Sequence, residues 1–173
     1  PIREALQVLV QEGLITSEPQ KGKHVRQMTG KEIYDSYVVA GILEGAGVAE
    51  SLPLWTEANM ETFRSVVRQM EGKISYATKL DELAEIDELF HATLFMACDN
   101  TRLVEMARTS CATISKYLYY QHWITMFTPR EYADRHHAVA EAVYSRDVKH
   151  VETALRDHYK ETGLRMAQFG KEA

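Results

Sequence analysis

From Thr29 to Phe169 the chain alternates long stretches of helix formers with residues that stop helices, and little besides a helical bundle satisfies that pattern. Pro53 ends the first stretch, Asp99-Asn100 breaks the third, and Thr128-Pro129 opens the fifth with proline at its first helical position. Ser145-Arg146-Asp147 is the turn into the last. The spacing predicts six helices, over residues 31–52, 56–77, 80–98, 101–123, 129–145 and 148–169. Thr29, three residues before Glu32, suits a capping box, and Thr56 and Asn100 suit N-caps. Short breaks between such helices favour antiparallel neighbours, so the expected class is a mostly α antiparallel bundle. Ala40, Gly41, Gly45, Ala46 and Gly47 permit close approach along the first of these helices, to another helix or to a second copy.

A chain of 173 residues suffices for one well-cored domain and a small appendage, divided here at residue 28. No run of about 18 apolar residues occurs, and no basic-then-apolar leader opens the chain. The two cysteines, Cys98 and Cys111, lie inside helical patterns without a partner motif, which predicts reduced thiols in a cytoplasmic protein. Residues 1–28 hold four cations against three anions, a net +1, and the remainder therefore carries −6 of the chain's −5. A slightly basic head on an acidic body fits a small nucleic-acid-binding module joined to a body that binds something else.

The head reads as a helix and a hairpin. Ile2, Ala5, Leu6, Leu9 and Val10 recur at helical spacing after Pro1, and Gly13 is placed to end the helix. Leu14-Ile15-Thr16 and His24-Val25-Arg26 flank a polar turn holding Gly22. A helix followed at once by a basic-tipped hairpin is the second half of a winged helix-turn-helix; an amphipathic helix and hairpin packed on the body would read the same way.

In the body, Asp87 and His91 stand four apart in IDELFHATLF, on one face of a helix, where a carboxylate and an imidazole can hold one metal ion. His136 lies ten residues before Arg146 and His158 twelve after it. In a helix hairpin these are about 15 and 18 Å from the turn, nearly one level. Both fall on apolar stripes, His136 with Tyr132, Val139 and Val143, His158 with Val148, Val151 and Leu155. A single histidine in such a stripe is more often a hydrogen-bonded core residue than a ligand. His137 lies about 100° round the helix from its neighbour, toward solvent, and His24, His122 and His150 lack companions.

The pattern PIREAL…L…GLI…KGK.V of residues 1–25 closely resembles the recognition helix and wing of GntR-family bacterial transcriptional regulators, and the remainder resembles their FadR-type, all-helical FCD effector domain. The resemblance begins in mid-motif, which implies an N-terminally truncated chain. It implies that Arg3 reads a base edge in operator DNA and that Lys21, Gly22 and Lys23 approach the backbone, as a guanidinium fork and a wing glycine would allow. FCD domains of the metal-binding kind carry D-x-x-F/L-H, then H-x-x-x-x-x-A-[IV], then a histidine 22 positions on. Asp87-Glu88-Leu89-Phe90-His91, His136 with Ala142-Val143, and His158 match all four positions. The resemblance thus implies one divalent transition metal (Zn, Ni, Mn or Fe) on Asp87, His91, His136 and His158, a small effector, by expectation a carboxylate, and a homodimer. It departs at Ala40, where these domains often carry an arginine facing the ligand. Arg102, Arg108 and Tyr117, with Tyr119 and Tyr120, are the candidate pocket residues in its place.

Two other readings remain open at this stage. Three imidazoles and a carboxylate around an open metal also suit metal-activated water or O₂ chemistry, although there is no H-E-x-x-H and Glu88 points about 100° away from Asp87. A purely structural metal would instead fill all four positions and answer to no small molecule.

Overall fold

The computed structural model describes residues 1–172. The head is one helix, α1 (Ile2–Gln11), and one antiparallel hairpin of β1 (Ile15–Glu18) and β2 (Gly22–Val25), with Ile15 opposite Val25 and Glu18 opposite Gly22. Gly13 stops α1 at φ +74°, and Gly22 turns the hairpin at φ +88° with open space beside it. No residue of α1 is buried, so the head does not share the core of the body.

The body is built from α2 (Gly30–Ser51), α3 (Glu57–Ile74), α4 (Ala84–Leu94), α5 (Thr101–Ser110), α6 (Tyr120–Trp123), α7 (Pro129–Ser145) and α8 (Val148–Ala167). Oxygen-bearing side chains start the long helices. Thr29 with Glu32, Thr56 with Asn59 and Thr128 with Glu131 form reciprocal capping boxes, and Asn100 caps α5. Arg146 closes α7 in the left-handed region, with φ 56°. Thr128→Ala removes one acceptor from the first turn of α7 and is expected to cost about 1 kcal/mol, seen as about 2–4 °C in thermal melting.

The fourth predicted helix is not continuous. Residues 101–123 split into α5, a π-helical turn over Thr113–Leu118, and the single turn α6. A π turn shifts the register of the faces, which periodicity over the whole stretch conceals. The third predicted helix likewise begins with a 3-10 turn, Leu80–Leu83.

Helices α2 and α8 run antiparallel down the centre, with Gly45 against Glu152, Gly41 against Tyr159 and Gly163 against Tyr37. A Cβ on Gly41 would come within 2.8 Å of the Tyr159 Cβ, so the two backbones meet at a separation only glycine allows. Gly47 faces Phe95 and Leu103 in the same way. The small residues of α2 therefore serve contacts inside this chain. Residues 30–54 are long and apolar enough to cross a membrane, but half of that stretch is buried inside the bundle.

The main core joins Phe63, Phe90, Leu94, Tyr132, Val143 and Leu155 from four helices. A smaller core gathers Met28, Ile33, Tyr37, Ile114 and Met166, so the link between head and body is packed against the π turn.

Candidate metal centre

Three helices bring the predicted ligands together. His91 comes from α4, His136 from α7 and His158 from α8, each offering one ligand nitrogen within 4.8 Å of the other two. Their ring centroids lie 4.8 Å (His136–His158), 5.3 Å (His91–His158) and 5.6 Å (His91–His136) apart. Asp87, one turn before His91, places Oδ1 3.1 Å from His136 Nε2 and 4.0 Å from His91 Nε2.

Hydrogen bonds fix which nitrogens are available. His136 Nδ1 donates to the Tyr132 carbonyl at 2.8 Å, because a carbonyl can only accept. In the neutral ring Nε2 is then a lone pair; it is buried and lies 3.1 Å from the Asp87 carboxylate. His91 Nδ1 donates to Glu44 Oε1 at 2.6 Å, which turns its Nε2 toward the same oxygen. His158 Nδ1 is also buried without a partner.

Charge follows the same geometry. Burial pushes His136 below the ordinary imidazole range, only partly offset by Asp87. Burial and the nearby Arg135 guanidinium push His158 well below it, keeping that ring neutral. Burial works against a proton on His91, yet the Glu44 carboxylate outweighs it and lifts the imidazole to about 9. Burial works to raise the Asp87 carboxyl, but His136 and His91 together hold it low. The centre is thus a carboxylate among two neutral imidazoles and a third, His91, that releases its proton on binding, a donor set that accepts a divalent ion. Metal–ligand bonds of about 2.0–2.2 Å set neighbouring donors about 3.0–3.5 Å apart, the range in which Asp87 and His136 already stand. The three nitrogens would draw in by about an ångström around an ion.

The cluster sits at the inner end of a cavity of about 400 Å³, a size suited to a small ligand. Of the pocket candidates, Arg108 and Tyr120 line it. Arg102 and Tyr117 do not: Arg102 points outward beside Glu105, and Tyr117 is 64% exposed on the π turn, which rotates it off the face a regular helix would have given it. His137 is half-exposed beside Glu71, where its place on the helix put it. His122 stacks on Phe169, and His24 and His150 stay exposed. Glu88 pairs with Lys116 at 3.0 Å, away from the cluster. Cys98 and Cys111 are free, and burial pushes the Cys111 thiol up to about 12.

Three residues escaped the sequence reading. Glu44, 3% exposed, is the lone charge in an apolar, glycine-rich stretch, a signal that was there to be used. Tyr159 donates to its other oxygen at 2.7 Å. Arg135 lines the cavity from α7, bonding Glu161 at 2.8 Å, the Thr162 hydroxyl at 2.7 Å and the His158 carbonyl. Its guanidinium lies 4.0 Å over the Phe127 ring. It brings a cation into the cavity wall that Ala40 cannot, and nothing in its local sequence distinguishes it from a solvated arginine.

The architecture is a helical bundle around a buried polar cluster, preceded by a helix–hairpin head. Residues 35–161 match the FCD domain family, and the chain belongs to it as a transcriptional regulator of the GntR/FCD type. The chain is 25% identical over 175 residues to the HTH-type transcriptional repressor RspR of Escherichia coli strain K12, covering 99% of this chain and 75% of that protein. It is 27% identical over 138 residues to the Nta operon transcriptional regulator of Aminobacter aminovorans, covering 79% of this chain and 62% of that protein. Among solved structures it resembles E. coli McbR/YncC with a TM-score of 0.76 at 16% identity, over 96% of this chain and 83% of that one. That likeness concerns the fold. The named relatives are regulators rather than enzymes.

Proposed function

We propose that this chain senses a small organic acid through a divalent transition metal held by Asp87, His91, His136 and His158, and that the bound state alters how the head meets operator DNA. One observation carries the metal: the ring nitrogens of His91, His136 and His158 lie within 4.8 Å of one another, with Asp87 Oδ1 3.1 Å from His136 Nε2. A carboxylate and an unprotonated ring nitrogen this close repel unless a cation lies near, and burial disfavours a proton on His136. A bound divalent ion supplies open coordination positions that a carboxylate can fill. Arg135 contributes positive charge in the cavity wall and, through the His158 carbonyl, steadies the turn that carries His158.

A route from cavity to head is built in. Cys111, Ser115 and Lys116, in and just before the π turn, line the cavity. Tyr119 follows that turn, and its hydroxyl accepts from the Met28 N–H at 3.0 Å and donates to the Met28 carbonyl at 3.2 Å. Met28 lies three residues beyond β2, so a shift of the turn on ligand binding would reposition the hairpin. Arg3, Lys21, Gly22 and Lys23 are exposed there, free to meet phosphates and a base edge. Regulation is then a population shift between two placements of the head, read out by a homodimer on its operator.

Metal analysis of the purified chain tests the first half, with roughly one transition metal per chain expected. Operator binding by the regulator, with and without organic acids, tests the second. A chain that takes up no metal, or an acid that binds and leaves operator affinity unaltered, would overturn the corresponding half.

A further inference from the structure

Glu44 touches the cluster from behind. It comes from α2, the one central helix that supplies none of the four proposed ligands, and it is 3% exposed. One oxygen receives His91 Nδ1–H at 2.6 Å and the other receives the Tyr159 hydroxyl at 2.7 Å. Both oxygens are therefore engaged, and the carboxylate is held off the metal position rather than offered to it. Gly41, one turn earlier on α2, lets Tyr159 pack close enough to reach.

We infer that Glu44, clamped by Tyr159, is the positioning residue of this site: it fixes the tautomer and orientation of His91 and raises the basicity of its Nε2 as a ligand. The inference rests on the metal reading above. An imidazole whose far N–H meets a carboxylate is a stronger and better-oriented donor than one facing a neutral group. The anion also offsets part of the charge of a divalent ion in a buried site. Tyr159 keeps the Glu44 carboxylate from swinging toward the metal. The three side chains tie α2, α4 and α8 to one point, so metal uptake tightens the contact between the central helix pair and α4.

The test is zinc affinity, by competition with a chromophoric chelator, for the wild-type chain and for Glu44→Gln, Glu44→Ala and Tyr159→Phe. The visible spectrum of each cobalt-loaded protein and the melting of each metal-free one complete the set. Glu44→Gln keeps an acceptor for His91 but loses the charge, and it is expected to weaken zinc about tenfold. Glu44→Ala loses both and is expected to weaken it about a hundredfold. Tyr159→Phe should give a smaller loss and a shifted cobalt spectrum, and combining it with Glu44→Gln should add nothing further. Melting of metal-free Glu44→Gln should stay close to wild type, which separates positioning from general support of the fold. Should Glu44→Gln fail to fold, Tyr159→Phe alone carries the test. Zinc affinity and cobalt spectra unchanged in the variants, while wild type binds metal, would overturn this inference and leave the metal reading intact. No metal bound by wild type would overturn both.

Discussion

Alanine at position 136 is expected to abolish metal binding, taking the chain from about one ion to a small fraction of one at micromolar metal, a larger loss than the ~10–100-fold attributed to outer-shell partners. His136 is the most buried of the three imidazoles, at 1% exposure, and its Nε2 is the atom that faces Asp87. No neighbouring side chain can replace it, since His137 projects toward Glu71 at the surface. The loss has a second readout. An ion that binds only the folded chain stabilises it by about 4 kcal/mol at a thousand times its dissociation constant. In a protein of this size that amounts to about 8–16 °C in melting temperature. Zinc should therefore raise the melting of the wild-type chain by about 10 °C and leave His136→Ala where it was. A variant that keeps both the ion and the shift would reduce these histidines to core residues.

The second large effect belongs to Phe90, which the metal chemistry never touches. It is fully buried between the core and the cluster, its ring 5.4 Å from Phe63, 5.0 Å from His136 and 5.5 Å from His91. Both imidazoles meet it edge to face, at 83° and 81°, so the ring holds them upright as well as filling space. Phe90→Ala is expected to cost about 3–5 kcal/mol, or about 6–20 °C in melting, through lost burial and the cavity left behind. Because His91 and His136 lean on that ring, metal affinity should fall in the same variant. The smaller change Phe90→Leu should recover most of the stability and less of the affinity, since it restores volume but not the flat surface. Melting of the metal-free proteins beside zinc titrations would separate the two. A Phe90→Ala chain within about 1 kcal/mol of wild type would mean the surroundings collapse into the gap.

These two variants bear on one property of the site. The proposed ligands are arranged by the hydrophobic core and by a buried carboxylate rather than by loops, so they are gathered at one place and need only draw in around an ion. The outer wall is different: the π turn over Thr113–Leu118 departs from regular helix where the cavity meets the link to the head. A rigid inner end and an irregular outer wall suit a sensor, because ligand binding can move the wall without dismantling the ligand set.

The sequence by itself determined the local and periodic features. Helix starts were legible at Thr29, Thr56, Asn100 and Thr128, because capping is a contact between residues three apart. The hairpin was legible from Gly22 and its polar turn, and the levels of His136 and His158 from counting outward from Arg146, where the chain does reverse. The apolar stripe favoured His136 over His137, the resemblance to the metal-binding FCD pattern settled the choice, and their burial agrees with it. Tertiary structure alone decided the rest. The break in the helix over residues 101–123 lies where Ile114 packs against Ile33 and Tyr37 of α2 and Tyr119 bonds the link at Met28, contacts with residues outside that stretch. Arg102 and Tyr117 left the cavity, and Arg135 entered it, because which side of a helix faces a cavity depends on neighbours far away in the chain. Glu44 meets His91 across 47 residues and Tyr159 across 115, and no local pattern specifies such a meeting. Periodicity tells which face of a helix is buried; only the packed fold tells what that face is buried against.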